Sequence, residues 1–92
     1  MKWEDAKIGD LLKIEYTNSS GTDITISEVI GFDGEDITLK DIISLSGGAL
    51  IEIWDVELSD PKRAERFELL EYLGHRPSSL EYLNTKYPEY KL

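Results

Sequence analysis

The chain has 92 residues, enough for one core and too few for two. It carries 19 acidic against 10 basic residues, a formal net charge of −9, which excludes general affinity for nucleic-acid phosphate as an expectation. With no cysteine and a single histidine, disulfides, thiolate metal sites and cysteine nucleophiles drop out, and no cofactor is expected.

Other features bound the class. No run approaches the ~20 apolar residues of a membrane helix. The segment from Met1 to Asp10 is polar and charged, without the apolar stretch of an export signal, so the expectation is a cytoplasmic protein with no membrane partner. Glutamine is absent and only Asn18 and Asn84 represent asparagine, a tendency of thermophilic proteins. The charge is also uneven. Residues 1–58 hold four lysines against thirteen carboxylates, whereas 59–92 balance six against six.

The first part reads as strands. Leu12, Ile14 and Tyr16 alternate with Lys13, Glu15 and Thr17, a period of two. The turn formers Asn18 to Gly21 follow. Ile24, Ile26, Ile30 and Phe32 share one side of a second strand, with Glu28 marking a bulge or a point where the strand leaves the core. Asp33-Gly34 is a hairpin signal, and Ile37 and Leu39 begin a third strand. After Ser46-Gly47-Gly48, the segment 49–58 is apolar on both sides. Ala49, Ile51 and Ile53 point one way, and Leu50, Trp54, Val56 and Leu58 the other. Such a strand is expected to be covered on both faces.

The second part is expected to supply that cover as two short helices. Ser59-Asp60-Pro61 carries start signals, and Lys62–Leu73 is rich in helix formers with Phe67, Leu69, Leu70 and Leu73 in one stripe. Gly74 suits the residue after a helix, and His75 then stands at its C-terminal end. A second helix is expected at 78–86, ended by Pro88. Leu-Glu-Tyr-Leu occurs at 70–73 and 80–83, too few copies for a repeat architecture. The expected fold is α+β, a single domain at 1–92, with a small, strongly bent antiparallel barrel of four to five strands at 8–58 and a helical extension at 59–92 packed on it.

This pattern resembles the SH3-like and Sm-like small β-barrels. Ile8-Gly9-Asp10 before Leu11-Leu12-Lys13-Ile14 is similar to the entry into their first strand. Val29 to Asp33 followed by Ile37 to Asp41 is similar to the first Sm motif. The resemblance implies the barrel fold. It does not bring the RNA site, because Asp36 stands near the place of an RNA-contacting asparagine, and Ile51-Glu52-Ile53 replaces the Arg-Gly stretch of the second motif.

No catalytic or metal constellation emerges. There is no Gly-x-Ser-x-Gly elbow around which His75 could serve, and the carboxylates Asp33, Glu35 and Asp36 lie in a convex turn without EF-hand spacing. No loop glycine precedes a phosphate-binding Lys-Ser/Thr. The candidate partner-binding residues are therefore cations and tyrosines: Arg63, Arg66, Arg76, Tyr82, Tyr87 and Tyr90. Arg63 and Arg66 either pair with the acidic barrel or form an anion spot beside it. The tail from Lys86 is expected to be frayed or self-packed. The leading expectation is a non-enzymatic module that binds a protein or itself. The alternatives are an acidic nucleic-acid mimic that inhibits a nucleic-acid-binding enzyme, with carboxylates in rows on one face, and Sm-like RNA binding.

Overall fold

A computed structural model describes residues 5–34, 36–57, 66–90 and 92. Five antiparallel strands form one sheet: β1 (Asp10–Asn18), β2 (Gly21–Asp33), β3 (Asp36–Ser44), β4 (Gly48–Glu57) and β5 (Arg66–His75). Their order is β4-β3-β2-β1-β5. Turn chemistry sets the hairpins. Asn18 pairs with Gly21 across a two-residue turn, where the Asn18 side chain accepts the Ser20 N–H at 2.8 Å. Gly34 takes φ 61° between the paired residues Asp33 and Asp36.

The expected barrel does not close. β4 and β5 are the two edges, and no ladder joins them among the described residues, so the sheet is open. It is nevertheless strongly coiled. β1 and β4 would lie about 14 Å apart in a flat sheet, yet the rings of Tyr16 on β1 and Trp54 on β4 have centroids 5.9 Å apart. Phe67 on β5 stacks on the same tyrosine at 4.6 Å. The coil wraps a core drawn from all five strands, with Leu12, Ile14, Val29, Ile37, Leu39 and Val56 buried and Trp54, Phe67 and Leu69 at its margin. Register shifts in β1–β5, β2–β3 and β3–β4 provide the extra bend. In the β2–β3 ladder the shifts flank Glu28, between Ile26 and Ser27 and between Val29 and Gly31.

The predicted helix over 62–73 is also corrected. Residues 66–75 form β5 along the free edge of β1, while 62–65 lie outside the described residues. Phe67 and Leu69 alternate with Glu68 and Leu70 as well as they fill a helical stripe, so periodicity does not decide between the two states. Tertiary context decides it. Leu11 and Leu12 are adjacent and both fully buried, so β1 is a central strand and takes a partner on each side. Gly74, with φ 107°, lies beside a register shift opposite Leu11 and does not cap a helix.

Of the two C-terminal helices expected, one forms: α1 (Ser79–Lys86), followed by a 3₁₀ turn at Pro88–Tyr90. α1 covers the outer face of the sheet. Leu83 is fully buried against Leu11, Ile26, Ile42 and Ile43. Ser78 makes no side-chain capping bond, and the Ser79 hydroxyl donates instead to Glu28 Oε1 at 2.5 Å. The tail packs on the same cluster through Tyr87, Tyr90 and Leu92, and Asn84 Nδ2 donates to the Leu92 carbonyl at 3.0 Å.

Candidate binding surfaces

Three polar sites and one apolar row remain after the core is assembled. The first is a clasp at the start of β1. The Asp10 carboxylate is buried; it accepts the Lys7 N–H at 2.8 Å and the Tyr72 hydroxyl at 3.4 Å, and His75 Nδ1 stands 3.1 Å away. Gly9, at φ 96°, passes beneath the His75 ring, and its N–H donates to the Val29 carbonyl at 2.8 Å. Burial, then the Asp10 charge, pushes the Tyr72 hydroxyl pKa up. This arrangement ties the start of β1 to the end of β5. His75 therefore ends a strand and faces a carboxylate, where a helix terminus was expected.

The second site is buried on the concave face. The Ser27 hydroxyl donates to Asp41 Oδ1, and Thr25 and Ser27 exchange a hydrogen bond at 3.2 Å. Desolvation raises the Asp41 pKa above the usual carboxylate value, the Ser27 bond opposes the rise, and Glu52 opposite adds to it. The folded state thus holds this proton more tightly than the unfolded chain does. Stability from Asp41 is fully present below its unfolded pKa near 3.8 and is lost as pH rises through the raised folded value. Asp41→Asn is expected to remove this component of the pH dependence, and denaturant midpoints measured from acid to neutral pH check it.

The third site brings together part of the cation and tyrosine set. The Arg76 guanidinium lies 4.5 Å from the Tyr82 ring centroid, and Lys86 Nζ approaches Tyr82 at 5.8 Å and Tyr87 at 5.6 Å. Tyr90 meets Tyr87 edge to face. Burial alone would raise the Tyr82 pKa, but Arg76 and Lys86 outweigh it and leave the hydroxyl below its ordinary value. Arg66 does not join this corner. Its backbone pairs with Thr17 at the far end of β5, and Arg63 lies outside the described residues.

The apolar row is on β4. Ile51 and Ile53 are 55% and 67% exposed, and Ala49 beside them is exposed too. The sequence calls for cover on both faces of this strand, but α1 packs elsewhere on the outer face. Asp55 continues the same row and accepts the Thr38 hydroxyl at 2.7 Å. Periodicity alone revealed this row, but not that it stays open.

No protein-family model matches the chain, and no curated protein or solved structure matches it. The Sm-like resemblance therefore rests on the quoted residues alone. Among the described residues no helix is long and apolar enough to cross a membrane, and no cluster of three or more metal-ligating side chains forms.

Proposed function

We propose that this chain is a non-enzymatic protein-interaction module whose β4 edge accepts an extended, cationic segment of a partner as an added strand. The observation that carries this reading is the exposed row Ala49, Ile51 and Ile53 on a strand that is also a sheet edge. An edge strand presents unpaired N–H and C=O groups along its length, and natural proteins usually blunt such edges with lysine, proline or a bulge. β4 contains neither lysine nor proline, and its one register shift lies at Leu50–Ile51, so the ladder from Glu52 to Glu57 is regular. Burying Ile51 and Ile53 would contribute roughly 1–2 kcal/mol each, so a partner gains from apolar side chains at alternate positions.

Charge selects the partner. Glu52 and Asp55 are exposed on β4, and the chain carries −9 overall. A second copy of the same edge would place like charges together, whereas a strand of alternating apolar and Lys/Arg residues answers them. The nucleic-acid-mimic reading finds less support. The exposed carboxylates Glu68 and Glu71 lie on one edge strand, while Glu52 and Asp55 lie on the other.

A synthetic peptide alternating valine and lysine is the test, with a valine–glutamate peptide as control. The expected result is a Kd of about 10–100 µM for the first and no binding for the second. Ile53→Lys is expected to abolish binding while changing stability by no more than about 0.5 kcal/mol. Equal binding of the acidic peptide, or full binding to Ile53→Lys, overturns the reading. So does concentration-dependent dimerisation that occupies β4, seen by light scattering.

A further inference from the structure

Between the segment that follows β5 and the helix α1, an open cleft of about 330 Å³ is lined by Arg76, Pro77, Ser78, Glu81, Tyr82 and Thr85. Its cationic group is the Arg76 guanidinium. One side faces Gly74, where even an added Cβ would lie 3.4 Å from the Arg76 Cζ, and another side faces the Tyr82 ring. The guanidinium is thus packed against the Gly74 backbone on one side and the ring on another. The planar group is fixed before any ligand arrives, which reduces the ordering entropy that binding would otherwise cost.

Charge in this cleft is unsatisfied. Arg76 makes no ion pair with any described residue, although carboxylates outnumber cations almost two to one in the chain. Its Nε is buried and has no hydrogen-bond partner. Glu81 lines the same cleft and its carboxylate has no partner among the described residues either; the Thr85 hydroxyl donates to the Glu81 backbone carbonyl, at 3.1 Å, and leaves the carboxylate unmet. Two opposite charges therefore face one cleft without meeting each other. The apolar surfaces of Pro77 and the Tyr82 ring line the same cleft.

The geometry points to a binding site for a small amphoteric ligand of the α-amino acid class. Its carboxylate pairs with the Arg76 guanidinium, its ammonium with Glu81, and its side chain lies against Pro77 and Tyr82. A pure anion would meet repulsion from Glu81, and a pure cation from Arg76 and from Lys86 beside Tyr82. A ligand carrying both signs meets neither. Because the cleft is open and the ligand small, a Kd of about 1 mM is expected. This site is independent of strand addition at β4.

The test is a titration of the ¹⁵N-labelled chain with free phenylalanine, phenylalanine amide, N-acetylphenylalanine and inorganic phosphate. Free phenylalanine is expected to shift the amides of Arg76, Ser78, Glu81, Tyr82 and Thr85. Removing the ligand's carboxylate or its ammonium is expected to weaken binding at least tenfold, and phosphate is expected not to bind. Glu81→Gln changes an exposed side chain and leaves the fold intact, so it carries the test if Arg76→Gln fails to fold. Both variants are expected to lose at least tenfold in affinity for phenylalanine. Equal binding of N-acetylphenylalanine or phosphate, or tighter binding of either to Glu81→Gln, assigns a simple anion site and overturns the proposal. Absence of shifts with free phenylalanine at about 10 mM also overturns it.

Discussion

Replacing Leu83 by alanine is expected to lower stability by about 2–5 kcal/mol, the largest effect of any single truncation in α1. Leu83 is the one large apolar side chain of the helix with no exposure, and it closes the outer cluster of Leu11, Ile26, Ile42 and Ile43. The loss combines transfer of the deleted atoms with a cavity that four branched neighbours on a hydrogen-bonded sheet fill poorly. A domain of this size has total stability of about 5–15 kcal/mol, so the variant approaches the unfolding threshold at 37 °C. Leu80→Ala on the exposed side of the same helix is the control, since Leu80 is 37% exposed; its expected cost is under about 1 kcal/mol. Urea unfolding of both variants checks the pair. Equal small losses would mean that α1 does not cover the sheet.

Gly9→Ala is expected to be the most damaging exchange in a turn. At φ 96° an L side chain is strained, which costs about 1–3 kcal/mol. The added Cβ would also stand 2.6 Å from His75 Cε1. The ring is half exposed and can swing away, but only by giving up its contact with Asp10. The buried Asp10 carboxylate then keeps the Lys7 N–H and Tyr72 hydroxyl as its donors. The two contributions can be separated. In a His75→Ala background the clash is absent and only the backbone strain remains, so Gly9→Ala costs less there. A double-mutant cycle by denaturant unfolding reads the coupling, and zero coupling would refute the packing of His75 on Gly9.

The hairpins were legible because their turns are local. Asn18 to Gly21, Asp33-Gly34 and Gly47-Gly48 state where the chain reverses, and the alternation of Leu12, Ile14 and Tyr16 gives the faces. β5 was not legible. Phe67, Leu69 and Leu73 fit periods of both 2 and 3.6, Leu70 joins only the helical stripe, and strong helix formers surround them. What turned 66–75 into a strand is the open edge of β1, whose residues pair with it across 49 to 65 positions of sequence. Barrel closure failed for a related reason, because edge pairing is a long-range property that strand count does not fix. In the candidate site, Arg76, Tyr82, Tyr87 and Tyr90 were marked by residue type. Glu81 and Gly74 were not, although Ser78, Glu81, Tyr82 and Thr85 have the spacing of one helix face, and Gly74 lies two residues before Arg76.

The most direct test of the central claim is residue-resolved amide hydrogen exchange, with and without the valine–lysine peptide. In the free chain, alternate β4 amides that face outward exchange fast while those bonded to β3 are protected. With peptide bound, the outward amides within Gly48–Glu57 are predicted to gain protection, and those of β5 and α1 to stay unchanged. Protection appearing along β5, or none on β4 at saturating peptide, would contradict the account.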